Sequence, residues 1–322
     1  MSVFQEEKNV LLTGGDGFVG SNLLHFLLKE TRWRFTCICS WRHKGNPLNI
    51  DRDERVRVVT HDLTGPIPPL GSFEYILHLA SESHVDRSIT DPLNFIENNV
   101  SSTLQLLEYA RKYRPDVFLL FSTDEVYGAG KHEEWDVLLP SNPYSASKAS
   151  QEMCSIAYWR TYNIPLVITN SNNIIGCKQN SEKFLPRIIE SIGLGQKINV
   201  HSYNGIIGRR RYLSVRSVSH AIAYILGRSP LDPTKSRYPS RYGLPGGKEF
   251  SNLELLEFVA EIIGVKPNYE IIDVSDIRPG YDLEYAETRG FLNSIGWEDP
   301  FDVSEEIKQI VHSCRSDRDF HF

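Results

Sequence analysis

Six short apolar runs set the possibilities for this chain more tightly than anything else in it: Val10-Leu11-Leu12, Phe35-Thr36-Cys37-Ile38-Cys39, Val56-Arg57-Val58-Val59, Tyr75-Ile76-Leu77-His78-Leu79, Val117-Phe118-Leu119-Leu120-Phe121 and Leu166-Val167-Ile168-Thr169. Runs without polar alternation are what parallel strands covered on both faces look like. Helical patterns over residues 21–29 and 95–113 lie between them. A β-α-β-α order of this kind predicts an α/β fold, a doubly wound parallel sheet of Rossmann type with right-handed crossovers.

Beyond residue 170 the rhythm breaks, Gly, Pro and Asn become frequent, and helical patterns at 184–192 and 252–263 are separated by irregular segments. The expected division is a dinucleotide-binding domain over 1–170, with a returning segment near 205–228, and a smaller substrate-binding portion over 171–322. No internal repeat, low-complexity tract or flexible linker separates them, so a shared interface is expected. A chain of 322 residues, 40% hydrophobic and 24% charged, can bury a sizeable core. No stretch reaches the roughly 18 apolar residues of a membrane span, and the first residues lack a signal peptide's order, so a cytoplasmic protein is expected. A net charge of −6 argues against nucleic acid as a partner. Five cysteines without ligand spacing suggest neither disulfides nor a metal site; Cys37 and Cys39 share one face of a strand and read as core.

The first strand runs into Thr13-Gly14-Gly15-Asp16-Gly17-Phe18-Val19-Gly20, which opens a helix. Glycines there let the backbone approach a pyrophosphate, whose charge meets the free N–H groups of a helix N-terminus. A glycine-rich β-α turn alone would be weak evidence; its place after the first strand of a parallel pattern strengthens it. Asp16 is awkward beside phosphates and is expected to point outward or to bind a backbone N–H. At the end of the second strand, a carboxylate would hold the ribose 2′-hydroxyl of NAD and repel the 2′-phosphate of NADP. Here the chain reads Cys39-Ser40-Trp41-Arg42-His43-Lys44. Ser40, Arg42 and Lys44 lean towards NADP, although a solvated basic loop would read the same. Asp62, after the third strand, is placed to face the adenine.

Asn142-Pro143-Tyr144-Ser145-Ala146-Ser147-Lys148 puts Tyr144 and Lys148 at i and i+4 on one helical face, because proline suits a first helical turn. A fixed ammonium stabilises a phenolate and brings a poor base into range. The pair gains weight from Phe121-Ser122-Thr123-Asp124-Glu125-Val126-Tyr127-Gly128, one β-α unit earlier, which ends a strand at the carboxyl edge where such sheets bind ligands. Two adjacent carboxylates can divide acid and base work if their environments differ. Capping of a turn is the plainer role for Asp124 or Glu125.

Together with His78-Leu79-Ala80-Ser81-Glu82-Ser83-His84-Val85-Asp86-Arg87-Ser88, these segments resemble the dTDP-glucose 4,6-dehydratases of the extended short-chain dehydrogenase/reductase type, and the likeness continues more loosely through Thr169-Asn170, Glu182-Lys183 and Arg278-Pro279-Gly280. The resemblance implies a nicotinamide cofactor, NAD or NADP, kept and recycled through three stages on one bound sugar. Tyr144, assisted by Lys148 and Thr123, would take the O4 proton as C4 gives up hydride; Glu125 would remove the C5 hydrogen while Asp124 protonates the departing C6 hydroxyl; hydride would return to C6. The resemblance further implies cofactor contacts from Gly14, Gly17, Phe18, Val19 and Gly20, from Ser40, Arg42, Asp62 and Leu63, and from Leu79, Ala80, Ser81 and Asn99. The nucleotide sugar would meet Ser83, His84, Val85, Asn173 and Lys183, with Arg210 and Arg278 gripping its diphosphate. Helices near 95–113 and 146–160 would pair two copies into a homodimer.

The likeness thins in the substrate half. Where the family has a Ser-Asn-Asn-Tyr-Gly run, this chain has Asn172-Asn173-Ile174-Ile175-Gly176, and Arg-Asp-Trp-Leu-Tyr-Val becomes Arg210-Arg211-Tyr212-Leu213-Ser214-Val215. The nucleoside and hexose stay open. So do 4-epimerisation, 5,6-dehydration or decarboxylation on the same scaffold, and a non-catalytic dinucleotide-binding regulator; the Asp124-Glu125 pair argues against simple epimerisation, which needs neither.

Overall fold

A computed structural model describes residues 4–41, 45–228, 235–276, 283 and 291–316, the side chains of the last stretch as far as residue 314. Seven strands form one parallel sheet. In chain order its left half is β1 (Asn9–Thr13), helix α1 (Phe18–Glu30), β2 (Arg34–Cys39) and β3 (Val56–Thr60). Strand β4 (Tyr75–His78) follows, then helices α2 (Val85–Thr90) and α3 (Pro92–Tyr113), β5 (Val117–Thr123), α4 (Pro143–Tyr162) and β6 (Leu166–Ser171). The chain continues through β7 (Asn173–Ile175), α5 (Phe184–Gly193), β8 (Ile198–Tyr203), β9 (Ile206–Ile207), β10 (Arg209–Ser214), α6 (Val215–Leu226) and β11 (Ser240–Leu244). It ends with β12 (Lys248–Ser251), α7 (Asn252–Ile263), β13 (Tyr269–Asp273), α8 (Phe291–Ser294) and α9 (Val303–Ser316).

The sheet order is β11-β6-β5-β4-β1-β2-β3. Strand order reverses between β1 and β4, and the crevice beyond their carboxyl ends is where such folds bind ligands. All six apolar runs are strands, and the seventh, β11, pairs with β6 from Ser240 opposite Val167 to Leu244 opposite Ser171. One face of the sheet packs on α1 and α6 through Leu23, Leu24, Leu27, Val218 and Ile222. The other packs on α3 and α4 through Leu106, Leu107, Ala110 and Trp159. A separate apolar cluster, Leu185, Ile188, Leu255, Leu256, Val259 and Ile307 among others, holds the C-terminal lobe of α5, α7 and α9. Its two small sheets run β12-β10-β7 and β13-β8-β9.

The helices that face the crevice have defined starts. Asp91 caps α3 with Pro92 in its first turn, and α3 ends at Arg114 in a left-handed conformation, φ 53°. Asn142 and Ser145 form a reciprocal capping box on α4, again with proline in the first turn. That box fixes where α4 begins, and hence which way Tyr144 and Lys148 project.

Candidate active site

The turn after β1 is shaped as a dinucleotide cradle. Gly14 has φ 72°, and a Cβ there would lie 2.9 Å from the Ala80 nitrogen, so glycine lets the turn lie against the end of β4. A Cβ on Gly20 would stand 2.1 Å from the Gly14 carbonyl oxygen, so α1 can sit on the turn only with glycine there. Gly17 caps α1 without any side-chain hydrogen bond, and a Cβ on it would meet only the Gly14 oxygen, at 3.3 Å. The first N–H groups of α1 thus face open space, which fits an anion. Phe18 and Val19 are the half-buried first residues of that helix.

Thr13 ties the two sides of the crevice together. Its hydroxyl accepts the N–H groups of Leu79 (3.2 Å) and Ala80 (3.1 Å), so its own hydrogen goes to His78 Nδ1 at 2.9 Å. His78 Nε2 then donates to Thr103 Oγ1 at 2.9 Å, and Thr103 donates to the Asn99 carbonyl. Gln151 of α4 donates to both Thr103 and that carbonyl. Burial and nearby Lys148 pull His78 down to about 3, so it stays neutral. Asn99, fully buried, donates to Ser147 at 2.8 Å and brackets Glu82 through both its backbone N–H and its carbonyl.

The remaining expected cofactor residues take these positions. Leu63 is buried, and Asp62 is half-buried with its carboxylate accepting the Thr64 N–H at 3.1 Å. Ser81 donates to the Glu82 carbonyl, and Ser40 is exposed. Arg42 and Lys44 lie outside the described residues. Asp16 does not point outward: it is 5% exposed, and its carboxylate takes its own backbone N–H and the Cys39 thiol.

At the end of β5 the chain turns into a short 3-10 segment, Asp124–Tyr127, capped by Thr123, whose hydroxyl accepts the Glu125 N–H. Thr123 also donates to Asp124 at 3.2 Å and is hydrogen-bonded to the Tyr144 hydroxyl. Asp124 is 1% exposed; its second oxygen accepts from Asn172 at 2.5 Å. Burial, then the charge of Glu125, push the Asp124 carboxyl up to about 7, while Glu125 itself is only half-buried. Lys148 donates to the Phe121 carbonyl at 2.8 Å and is pulled down to about 7 by burial, against the charge of Glu152. The phenol of Tyr144 is not brought down by this lysine: burial and the charges of Glu125 and Asp124 push it well up.

At the mouth, Lys183 precedes α5 and donates to the Ser83 carbonyl at 3.0 Å; burial lowers it, against the charges of Glu182 and Glu125. His84 caps α2, accepting the Arg87 N–H at 3.3 Å, with Val85 next to it. These residues therefore gather beside Glu125. Asn173 is half-buried at the start of β7. Arg210 is 8% exposed and donates to the carbonyls of Arg209 and Leu283, and Arg278 lies outside the described residues.

Three site features escaped sequence reasoning. Asn172 carries the acid on one side and accepts the Gly246 N–H at 2.7 Å on the other. His78 relays between β1 and α4. Glu152, one turn beyond Lys148, is fully buried against Arg241 of β11 and accepts from Asn170, which also donates to the Thr123 carbonyl. Among the described residues no cluster of His, Cys, Asp and Glu is placed to hold a metal ion, and no helix is long and apolar enough to cross a membrane.

This geometry has relatives. The model of the NAD dependent epimerase/dehydratase family matches residues 10–238. The chain belongs to that family. Within it, the dTDP-glucose 4,6-dehydratase of Streptomyces antibioticus is 31% identical over 96% of this chain and 93% of its own. The enzyme of that name from Escherichia coli is 33% identical over 94% and 92%. The solved dTDP-glucose 4,6-dehydratase of Streptomyces venezuelae, with NAD bound, superposes with a TM-score of 0.86 at 28% identity, covering 96% of this chain and 98% of that one. The UDP-glucose 4-epimerase of Thermus thermophilus, at 24% identity and a TM-score of 0.84, shares the fold.

Proposed function

We propose that this chain is a nucleotide-sugar 4,6-dehydratase, which turns an NDP-hexose into its 4-keto-6-deoxy derivative and water. The observation that carries this reading is the split between two neighbouring carboxylates at the end of β5. Asp124, sealed and raised to about 7, is partly protonated at neutrality and can give a proton; half-buried Glu125 can take one. The dehydratase names of relatives near 30% identity over almost the whole chain support the same reading.

A nicotinamide dinucleotide seated on the Gly14–Gly20 turn supplies the acceptor for hydride from C4 and the donor that returns it to C6. Tyr144, held by Thr123, takes the O4 proton. Its raised pKa makes the phenolate strongly basic once formed. The C4 ketone acidifies the C5 hydrogen, which Glu125 removes and gives back to C5 once hydride has returned to C6. Asp124 protonates the C6 hydroxyl, which leaves as water. Asn99, His78 and Gln151 hold α4, and so Tyr144, at a fixed distance from the turn.

Ser83, His84, Val85, Asn173 and Lys183 are the proposed sugar contacts, and Arg210 and Arg278 the diphosphate contacts; Arg210 would exchange a backbone carbonyl for phosphate oxygens. A homodimer is supported by outward apolar residues on the two helices expected to pair, Leu93 and Ile96 on α3 and Met153 on α4. The same reading keeps the protein in the cytoplasm, which fractionation would check. The basic residues around Arg42 argue for NADP, and Asp16 argues the other way.

Incubation with a panel of nucleotide hexoses tests the assignment. Products lighter by one water are expected. Unchanged mass with an inverted C4 centre would mean an epimerase, loss of carbon dioxide a decarboxylase, and an untouched panel a regulator.

A further inference from the structure

The end of β2 is where a dinucleotide-binding sheet normally presents a carboxylate to the adenosine ribose, and here that position holds Cys39. A thiol carries no charge unless ionised, and burial together with Asp16 pushes this one far up. A carboxylate nevertheless stands at the spot. Asp16 reaches it from the glycine-rich turn: the turn is tied to β2 by the Gly14 N–H donating to the Ile38 carbonyl at 3.3 Å, and the Asp16 side chain lies against Cys39. The segment 46–49 folds over the same residue. The Asn46 N–H (3.1 Å) and the Asn49 side chain (3.0 Å) both donate to the Asp16 carbonyl, and Lys178 donates to the Asn49 carbonyl at 2.8 Å. Asp16 is thereby held 5% exposed, and among the described residues no side-chain cation is hydrogen-bonded to it.

We propose that Asp16 is the residue that selects the cofactor: from the phosphate-binding turn it offers the carboxylate that the end of β2 lacks, binding the ribose diol of a dinucleotide without a 2′-phosphate. Two ribose hydroxyls can donate to its oxygens in place of one weak thiol donor, which favours NAD. A 2′-phosphate would bring like charge against a desolvated carboxylate, a costly juxtaposition. The exposed hydroxyl of Ser40 can serve either cofactor and does not decide between them.

The test needs only binding, so it stands or falls apart from the dehydratase reading. The dinucleotide released on denaturing the purified full-length protein is identified by chromatography, and exchange of the holoenzyme against NAD and against NADP gives the affinity ratio. The wild type is expected to carry NAD and to prefer it. Asp16→Asn and Asp16→Ser are expected to shift the ratio towards NADP by about tenfold or more, the size of a lost hydrogen bond to a charged group, with circular dichroism confirming that they fold. If Asp16 only braces the turn, both affinities fall by the same factor, and the proposal is wrong. A wild type that prefers NADP overturns it whatever the variants do.

Discussion

At the floor of the cleft, Thr123, Asp124 and Tyr144 are nearly sealed from solvent and linked by hydrogen bonds to one another, with Asn172 on the far side of the acid. At the rim, Ser83, His84 and Lys183 stand among ion pairs, partly exposed Arg87 with buried Glu82 at 3.0 Å and with Glu182 at 3.8 Å. Both regions hold carboxylates, yet on the floor the Asp124 carboxyl is pushed up to about 7. Desolvation makes the difference, because the same charge costs far more where water cannot reach it. In the proposed reaction chemistry falls to the floor and recognition to the rim, and substitutions should separate the two.

The largest effect is expected on the floor. Glu125→Gln should lower turnover by about 10²–10⁴-fold, the usual contribution of a general base, while oxidation at C4 persists and reduced nicotinamide accumulates after mixing. Tyr144→Phe should block the first step, so that no reduced nicotinamide forms. Stopped-flow absorbance and solvent deuterium incorporation at C5 distinguish them. Exchange at C5 at the wild-type rate in Glu125→Gln would remove this residue as the base.

The pair beneath the floor comes next. Arg241 and Glu152 have side chains 1% and 0% exposed, and Arg241 further donates to Tyr127 and the Glu134 carbonyl. Arg241→Met would leave Glu152 buried without its cation, which costs about 3–5 kcal/mol. Denaturant unfolding should show that loss. A change below 1 kcal/mol, as for a surface pair, would mean that water reaches the site.

This pair also explains what could and could not be read in the chain. Strands β1, β2, β4, β5 and β6 are largely apolar on both faces because helices cover both faces, so composition alone marks them, whereas β3 at the sheet edge is partly exposed. Strand β11, Ser240-Arg241-Tyr242-Gly243-Leu244, lies in the same sheet but carries a buried arginine whose partner is 89 positions away. Nothing local distinguishes it from a loop. The glycine turn, Asp124-Glu125 and the Tyr144/Lys148 pair could be singled out because their spacing is itself the signal, and the fold brings Thr123, Asp124 and Tyr144 together. Asn172, which touches Asp124 across 48 positions, was not. Nor was the direction of the Tyr144 shift, since proximity of Lys148 is a sequence property and burial among carboxylates is not.

Asn172 gives a smaller, sharper test. If Asp124 acts as proposed, in its protonated form, turnover should fall above about pH 7. The amide of Asn172 stabilises the charged carboxylate. Asn172→Ala should therefore raise the Asp124 pKa and move the alkaline limb to higher pH by about one unit, the equivalent of a charged hydrogen bond. A shift to lower pH would show that Asn172 stabilises the neutral acid instead.

The smallest effect is expected at the rim. Glu182 faces Arg87 in a partly exposed pair and is the leading charge that opposes the desolvation of Lys183. Glu182→Gln should change stability by less than about 1 kcal/mol, because pairs reached by solvent contribute little. Its sign appears in binding. Burial already lowers the Lys183 pKa, and loss of the Glu182 charge should lower it further, so the ammonium is given up at a lower pH. If Lys183 meets an anionic part of the substrate, KM should begin to rise at lower pH than in the wild type while kcat keeps its own limb, set by Asp124. Measured kcat and KM profiles that move together would break the separation of floor from rim, since one residue would then serve both.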